Sequence, residues 1–362
     1  MTTKPTGPVP RDDLRELTGY HSPQLDVPVR LNTNESPYAP PKEFVDAWLD
    51  ALRHTPLNRY PDRDARELRT ALADQLHQPL ERLFCANGSN EVLQTVLLTF
   101  GGTGRTAAVF EPTYALHAHI ARITGTTVVV GERTADFTVE PAAARALLAE
   151  HRPTLVFLCS PNNPTGTVEP EVTVESLLDT TDSLVVVDEA YGEFADRSAI
   201  QLVADDRPLI VARTYSKVWS MAALRLGFCV APPWVVEELE KVVLPYHLAA
   251  PTQLAGVLAL RYGPEMDERV ALLIEERERL HAELNKIDGV TVYPSGANFV
   301  LLRVHDGGHA LWQRLVDRGV LVRDFSSWPR LAECLRVTAG TPEENDTFLA
   351  ALREAVEEVR VA

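Results

Sequence analysis

The chain reads as an α/β protein: a large α/β/α lobe around a mostly parallel sheet, with a smaller α+β lobe behind it. Three observations lead there. Runs such as "TLVFLCS", "SLVVVDEA" and "PLIVARTYS" are apolar at successive positions, as in strands covered on both faces. Helical patterns such as "YALHAHIARIT" and "PAAARALLAEH" separate the strand-like runs, giving the alternation of a sheet with helical crossovers. At 362 residues the chain is long enough for two lobes and a large core.

Taken in order, residues 1–45 are rich in proline and turn formers, as in "NTNESPYAPP". They read as an extended arm that joins the smaller lobe, not as a core element. From about residue 65 the pattern is regular. "ARELRTALADQL" has helical spacing, "RLFCAN" is a short strand, and "SNEVLQTVLLTF" is an amphipathic helix that Ser89 would cap. Strand-like "TAAVF" and "TVVV" alternate with the two helices already named and lead to "TLVFLCS". A helix at "VTVESLLDT" precedes the last two strands of a lobe placed at 46–247. "VLPYHLAAPTQ" reads as a hinge or crossing segment. The smaller lobe, 248–362, opens with a long helix from about Pro264 to Ile287, whose "EERERLHAEL" charges make a solvated face. The strands "GVTVYP", "NFVLLRV" and "CLRVTAG" then alternate with two helices.

Composition narrows the function. Hydrophobic content of 45% and charged content of 24% are those of a soluble globular protein. A net charge of −16 argues against nucleic-acid binding and against an anionic membrane surface. No run approaches the ~20 apolar residues of a membrane span, and the first residues lack an apolar signal core. The four cysteines form no CxxC pair and read as reduced thiols, so a cytoplasmic protein is expected. The ten histidines show no metal spacing; His117 and His119 are two apart and face different ways on a helix.

In open α/β sheets, ligands gather at the carboxyl ends of the strands. After "RLFCAN" come Gly88, Ser89 and Asn90, a turn into a helix start and a natural phosphate seat. Tyr114 follows "VFEP", and Asn163 stands before Pro164 in "CSPNNPTG". Asp188 closes "VVVD", with Tyr191 three positions on. "RTYSKVWSMAALR" supplies Thr214, Ser216, Lys217 and Arg225, and this lysine is one of only 5 among 35 basic residues. Singly, these could be an N-cap, core packing, a proline turn and an ordinary ion pair. Together they match what pyridoxal 5′-phosphate requires. Its aldehyde needs a primary amine, which arginine cannot replace, and its ring nitrogen needs a carboxylate. Its ring oxygen needs donors, its face an aromatic, and its phosphate a helix N-terminus with hydroxyls and an arginine.

"SPNNPTG", "VVVDEAY" and "SK" followed by "LRLG" resemble the motif set of fold-type I aminotransferases in the aspartate aminotransferase superfamily. "LNTNESPY", "NRYPD", "ANGSNE", "LPYHL", "ANFVL" and "LRVTAGTPEEND" resemble its histidinol-phosphate aminotransferase branch. The resemblance runs from about Leu14 to the last helix. It implies that Lys217 joins the cofactor covalently and shuttles a proton, that Asp188 pairs with the ring nitrogen, and that Tyr191 and Asn163 bind the ring oxygen. It further implies that Tyr114 stacks on the ring and that Ser89, Asn90, Thr214, Ser216 and Arg225 hold the phosphate. Arg336 would grip the substrate phosphate, or the α-carboxylate of glutamate, with Tyr20 and Tyr60 adding hydroxyl contacts. Tyr60 would come from a neighbouring subunit, making a homodimer with shared active sites. One departure is "KVWSMAALR", where the family carries a Gly-containing run such as "KAFGLAGLR". The implied reaction is transamination between L-histidinol phosphate and 2-oxoglutarate in histidine biosynthesis. An aromatic amino-acid aminotransferase, a decarboxylase of an amino-acid phosphate and a non-catalytic regulatory module stand as alternatives.

Overall fold

The computed structural model describes residues 7–15, 17–19, 23–180, 182–305 and 307–361. The first strand, β1 (Val29–Leu31), lies in the N-terminal segment. Seven strands follow in the first large sheet: β2 (Leu83–Ala86), β3 (Thr106–Glu111), β4 (Thr127–Glu132), β5 (Leu155–Cys159), β6 (Leu184–Asp188), β7 (Leu209–Thr214) and β8 (Gly227–Val230). Their spatial order is β2-β8-β7-β6-β5-β3-β4. The pairs from β7 to β4 are parallel, and β8 runs antiparallel to both of its neighbours.

Every residue of β5, β6 and β7 is buried. Val156, Leu158, Val185, Val187, Leu209 and Val211 belong to one core cluster, and their alternates Leu155, Phe157, Leu184, Val186, Ile210 and Ala212 belong to another. Because successive strand residues point to opposite faces, the apolar runs cover both faces of the sheet, as the sequence predicts.

The second sheet contains β9 (Val290–Val292), β10 (Phe299–Val304), β11 (Val320–Asp324) and β12 (Cys334–Thr338), in the order β1-β11-β12-β10-β9. It is antiparallel except for β1, which runs parallel to β11. The N-terminal segment therefore supplies a core strand: Leu31 and Val29 are buried among Leu302, Val322 and Phe348.

Several elements differ from the sequence reading. A helix at Lys42–Arg53 precedes the regular region, β8 follows Arg225, and a helix at Pro233–Val242 follows β8. The crossing segment enters a helix at Ala250–Ala259, and the long helix spans Gly263–Leu284. Ser89 is the first residue of its helix, not its cap. Gly88 holds the cap position at φ 80° with no side-chain cap bond, and the Asn87 N–H donates to Glu91 Oε2 at 2.6 Å.

Candidate active site

The site is built where β2, β5, β6 and β7 end. Gly88 is required at the first of these ends. A Cβ there would lie 2.7 Å from Arg225 Nη2, and one on Gly227 would lie 2.3 Å from the Ser89 nitrogen. The two glycines let the start of β8 and the Arg225 guanidinium close onto the N-terminus of the helix Ser89–Phe100, whose free N–H groups favour an anion. Arg225 itself adopts φ 52° and donates from Nη1 to Ser216 Oγ at 3.2 Å. Thr214 Oγ1 donates to the same oxygen at 3.0 Å. Two hydroxyls and a guanidinium thus converge on a helix start.

Asp188 ends β6 with its carboxylate buried. Its Oδ2 lies 2.9 Å from His117 Nε2, and its Oδ1 accepts from the Ala190 N–H at 3.1 Å. His117 is stacked on Phe157 with centroids 5.2 Å apart, and Tyr114 meets it edge-on at 5.5 Å. His117 Nδ1 is buried without a partner among the described residues. A proton on Nδ1 would be a buried, unsatisfied donor, which leaves Nε2 as the ring nitrogen that donates to Asp188. Tyr191 OH accepts from Asn34 Nδ2 at 2.9 Å and Asn163 Nδ2 at 3.3 Å. Burial raises the pKa of this phenol, so it keeps its proton.

Lys217 follows β7 and donates from Nζ to the Thr33 carbonyl at 2.9 Å. Burial, followed by the positive charge of Arg336, lowers its pKa from 10.5 to about 8. A lysine in that range is a usable nucleophile and base near neutrality. Arg336, on β12, donates from Nη1 to Asn163 Oδ1 and from Nη2 to the Asn32 carbonyl at 2.8 Å. Its guanidinium carbon lies 5.0 Å from the centre of the Phe299 ring and 5.4 Å from that of Phe325.

Directly across the strand pair, Arg336 faces Arg323 on β11. Both are buried, and Arg323 also approaches Phe325, at 5.7 Å. Like charges opposite one another in an antiparallel ladder are destabilising. Two guanidinium-bearing residues thus lie side by side in the small sheet, and Arg336 is the one that lines the cavity.

One cavity of about 390 Å³ brings together Ser89, Asn90, Tyr114, Asn163, Asp188, Tyr191, Thr214, Ser216, Lys217, Arg225 and Arg336. Tyr60 stands apart from it, 79% exposed and stacked on Tyr246 at 4.5 Å. Tyr20 lies outside the described residues. Sequence reasoning passed over His117, Arg323 and the segment Asn32–Glu35, which lines the cavity through all four residues. His117 lies in the first turn of the helix Leu116–Ile123, three positions after Tyr114, and that close spacing could have drawn attention to it. For Arg323 the signal is a lone arginine in the apolar run "VLVRD".

The family model described as aminotransferase class I and II matches residues 27–352. The chain is 49% identical to a histidinol-phosphate aminotransferase of Streptomyces avermitilis, covering 96% of each chain. It is 47% identical to one of Thermobifida fusca, covering 95% of each. A crystal structure of histidinol-phosphate aminotransferase from Sinorhizobium meliloti in complex with pyridoxal 5′-phosphate superposes with a TM-score of 0.86. That comparison covers 92% of each chain at 24% identity.

Proposed function

The chain belongs to the class I and II aminotransferases, and from that premise we propose that it is a pyridoxal 5′-phosphate enzyme that transfers the amino group of L-histidinol phosphate to 2-oxoglutarate. The products are imidazole-acetol phosphate and L-glutamate, a step of histidine biosynthesis. The observation that carries the substrate is the buried Arg336, which lines the same cavity as Lys217 and Asp188. A guanidinium presents a fork of donors that a phosphate monoester or a carboxylate can accept from bidentately.

The residues present fit the cofactor. A dianionic phosphate suits the hydroxyls, Arg225 and helix N-terminus gathered around Gly88. When bound, pyridoxal 5′-phosphate supplies an aldehyde carbon and a ring that accepts the electron pair left on the substrate Cα. Asp188, oriented by His117, would hold a proton on the ring nitrogen. Tyr191 and Asn163 offer donors to the ring oxygen, and Tyr114 covers the ring. Lys217 supplies the amine for attachment. With the cofactor bound, its amine would be placed to move a proton at the substrate Cα. Arg336, held by Asn32 and Asn163, orients the substrate through its anionic end.

The working unit is a homodimer in which Tyr60 of one protomer completes the other's site. Supporting this, Tyr60, Leu57 and Leu244 are each at least 75% exposed, and the Tyr60–Tyr246 stack lies at the surface. Such an apolar patch marks an interface. No described helix is long and apolar enough to cross a membrane, and the four free cysteines are buried, which suits a cytoplasmic enzyme. A donor panel with 2-oxoglutarate tests the reaction. Histidinol phosphate should give the highest kcat/KM, whereas a higher value for phenylalanine, tyrosine or tryptophan would overturn the assignment.

A further inference from the structure

We propose that Glu35 selects the imidazole ring of the donor substrate by accepting a hydrogen bond from a ring N–H. The inference rests on histidinol phosphate being the donor. Two carboxylates line the cavity, Asp188 and Glu35, and they are in different states. Asp188 is buried, with both oxygens engaged by His117 and the Ala190 N–H. Glu35 is exposed. Its Oε2 accepts from Thr33 Oγ1 at 2.8 Å, and among the described residues it has no ion-pair partner and Oε1 has no hydrogen bond.

The backbone that carries Glu35 is tied to the site at three successive residues. The Asn32 carbonyl accepts from Arg336, the Thr33 carbonyl accepts from Lys217, and Asn34 Nδ2 donates to Tyr191 OH. Asn34 is further anchored to Thr338 through its N–H and its Oδ1. Glu35 is therefore presented to the cavity from a fixed support, the condition for a specificity contact.

The substrate's chemistry supplies the counterpart. Its phosphate goes to the Arg336 guanidinium and its amine to the Lys217 end, which leaves the imidazole. That ring has at least one N–H in either protonation state and two when charged. Enclosing the N–H without an acceptor would cost its hydration. A phenyl ring brings no N–H, so placing it against Glu35 strips water from a carboxylate without compensation. A site that hydrogen-bonds a substrate N–H rejects analogues lacking it more strongly than an apolar slot can. Glutamate, the other amino donor, has no group that requires Glu35.

The test compares two donors differing only in the ring, histidinol phosphate and phenylalaninol phosphate, on the holoenzyme of the wild type, Glu35→Leu and Glu35→Gln. The readout is the ratio of kcat/KM values within each protein, from which any loss of active fraction cancels. Glu35→Leu should lower the ratio by roughly 10- to 100-fold, the worth of a hydrogen bond to a charged group. Glu35→Gln, which keeps an acceptor oxygen, should retain a higher ratio than Glu35→Leu. An unaltered ratio in Glu35→Leu would overturn the role of Glu35 while leaving the reaction intact. A wild type that does not turn over histidinol phosphate would overturn both.

Discussion

The pKa of Lys217 makes a prediction that can be worked through. The amine sits at about 8 in place of 10.5 because it is buried and faces Arg336, with Arg225 adding to the effect and Glu35 opposing it. At pH 7 the neutral fraction is then about 9%, against about 0.03% for an unperturbed lysine, an advantage of roughly 300-fold. Only the neutral amine attacks an aldehyde. Cofactor-free protein mixed with pyridoxal 5′-phosphate in a stopped-flow spectrometer should therefore develop its visible band at a rate that climbs about tenfold per pH unit below pH 8 and levels off above it. Replacing Arg336 by Met removes the second cause of the shift, and the plateau should move to higher pH. Stability follows with a defined sign. The unfolded chain binds the Lys217 proton up to 10.5 while the folded site sheds it near 8, so this residue's contribution is complete above pH 10.5 and is lost as the pH falls through 8. A capture rate that keeps climbing in proportion to hydroxide beyond pH 9, in wild type and variant alike, would refute the reasoning.

Three further outcomes are expected. Arg336→Ala should lower kcat/KM for histidinol phosphate by about 10²- to 10⁴-fold, the worth of two charge-assisted hydrogen bonds, while the cofactor band remains; retained turnover would place the anion site elsewhere. His117→Phe keeps the ring volume against Phe157 and Tyr114 but removes the N–H at Asp188 Oδ2, so kcat should fall about tenfold or more with cofactor binding retained, and an unchanged kcat would make the histidine a packing residue only. Ser220 adopts φ 52° where resembling proteins carry glycine. Ser220→Gly should raise stability to urea by roughly 0.5–1 kcal/mol, left-handed strain relieved outweighing chain entropy gained; a loss of stability would contradict this.

The sheet was legible because β5, β6 and β7 are apolar at nearly every position, a pattern that few other arrangements satisfy. The strand ends then delivered Asp188, Lys217 and the Gly88 turn by simple reading. What escaped notice was local weakness that tertiary contact overrides. β8 is only the four residues "GFCV", and its pairing with β2 and β7 is what makes it a strand. β11 ends in Arg323 and Asp324, which read as surface until the register with β12 brings Arg323 opposite Arg336. Asn34 hides in a turn-rich arm at φ 59°, and nothing nearby in sequence announces its bonds to Tyr191 and Thr338 across more than 150 residues. Among the described residues Tyr60 stacks on Tyr246 and does not line the cavity, so nothing within the chain marks it as a site residue.

Reduction of the cofactor-loaded protein with borohydride, followed by digestion and mass mapping, bears most directly on the whole account. The phosphopyridoxyl mass should appear on the peptide containing Lys217 and on none containing Lys4, Lys42, Lys241 or Lys286. A label on any of those four, or no label at all, would contradict it.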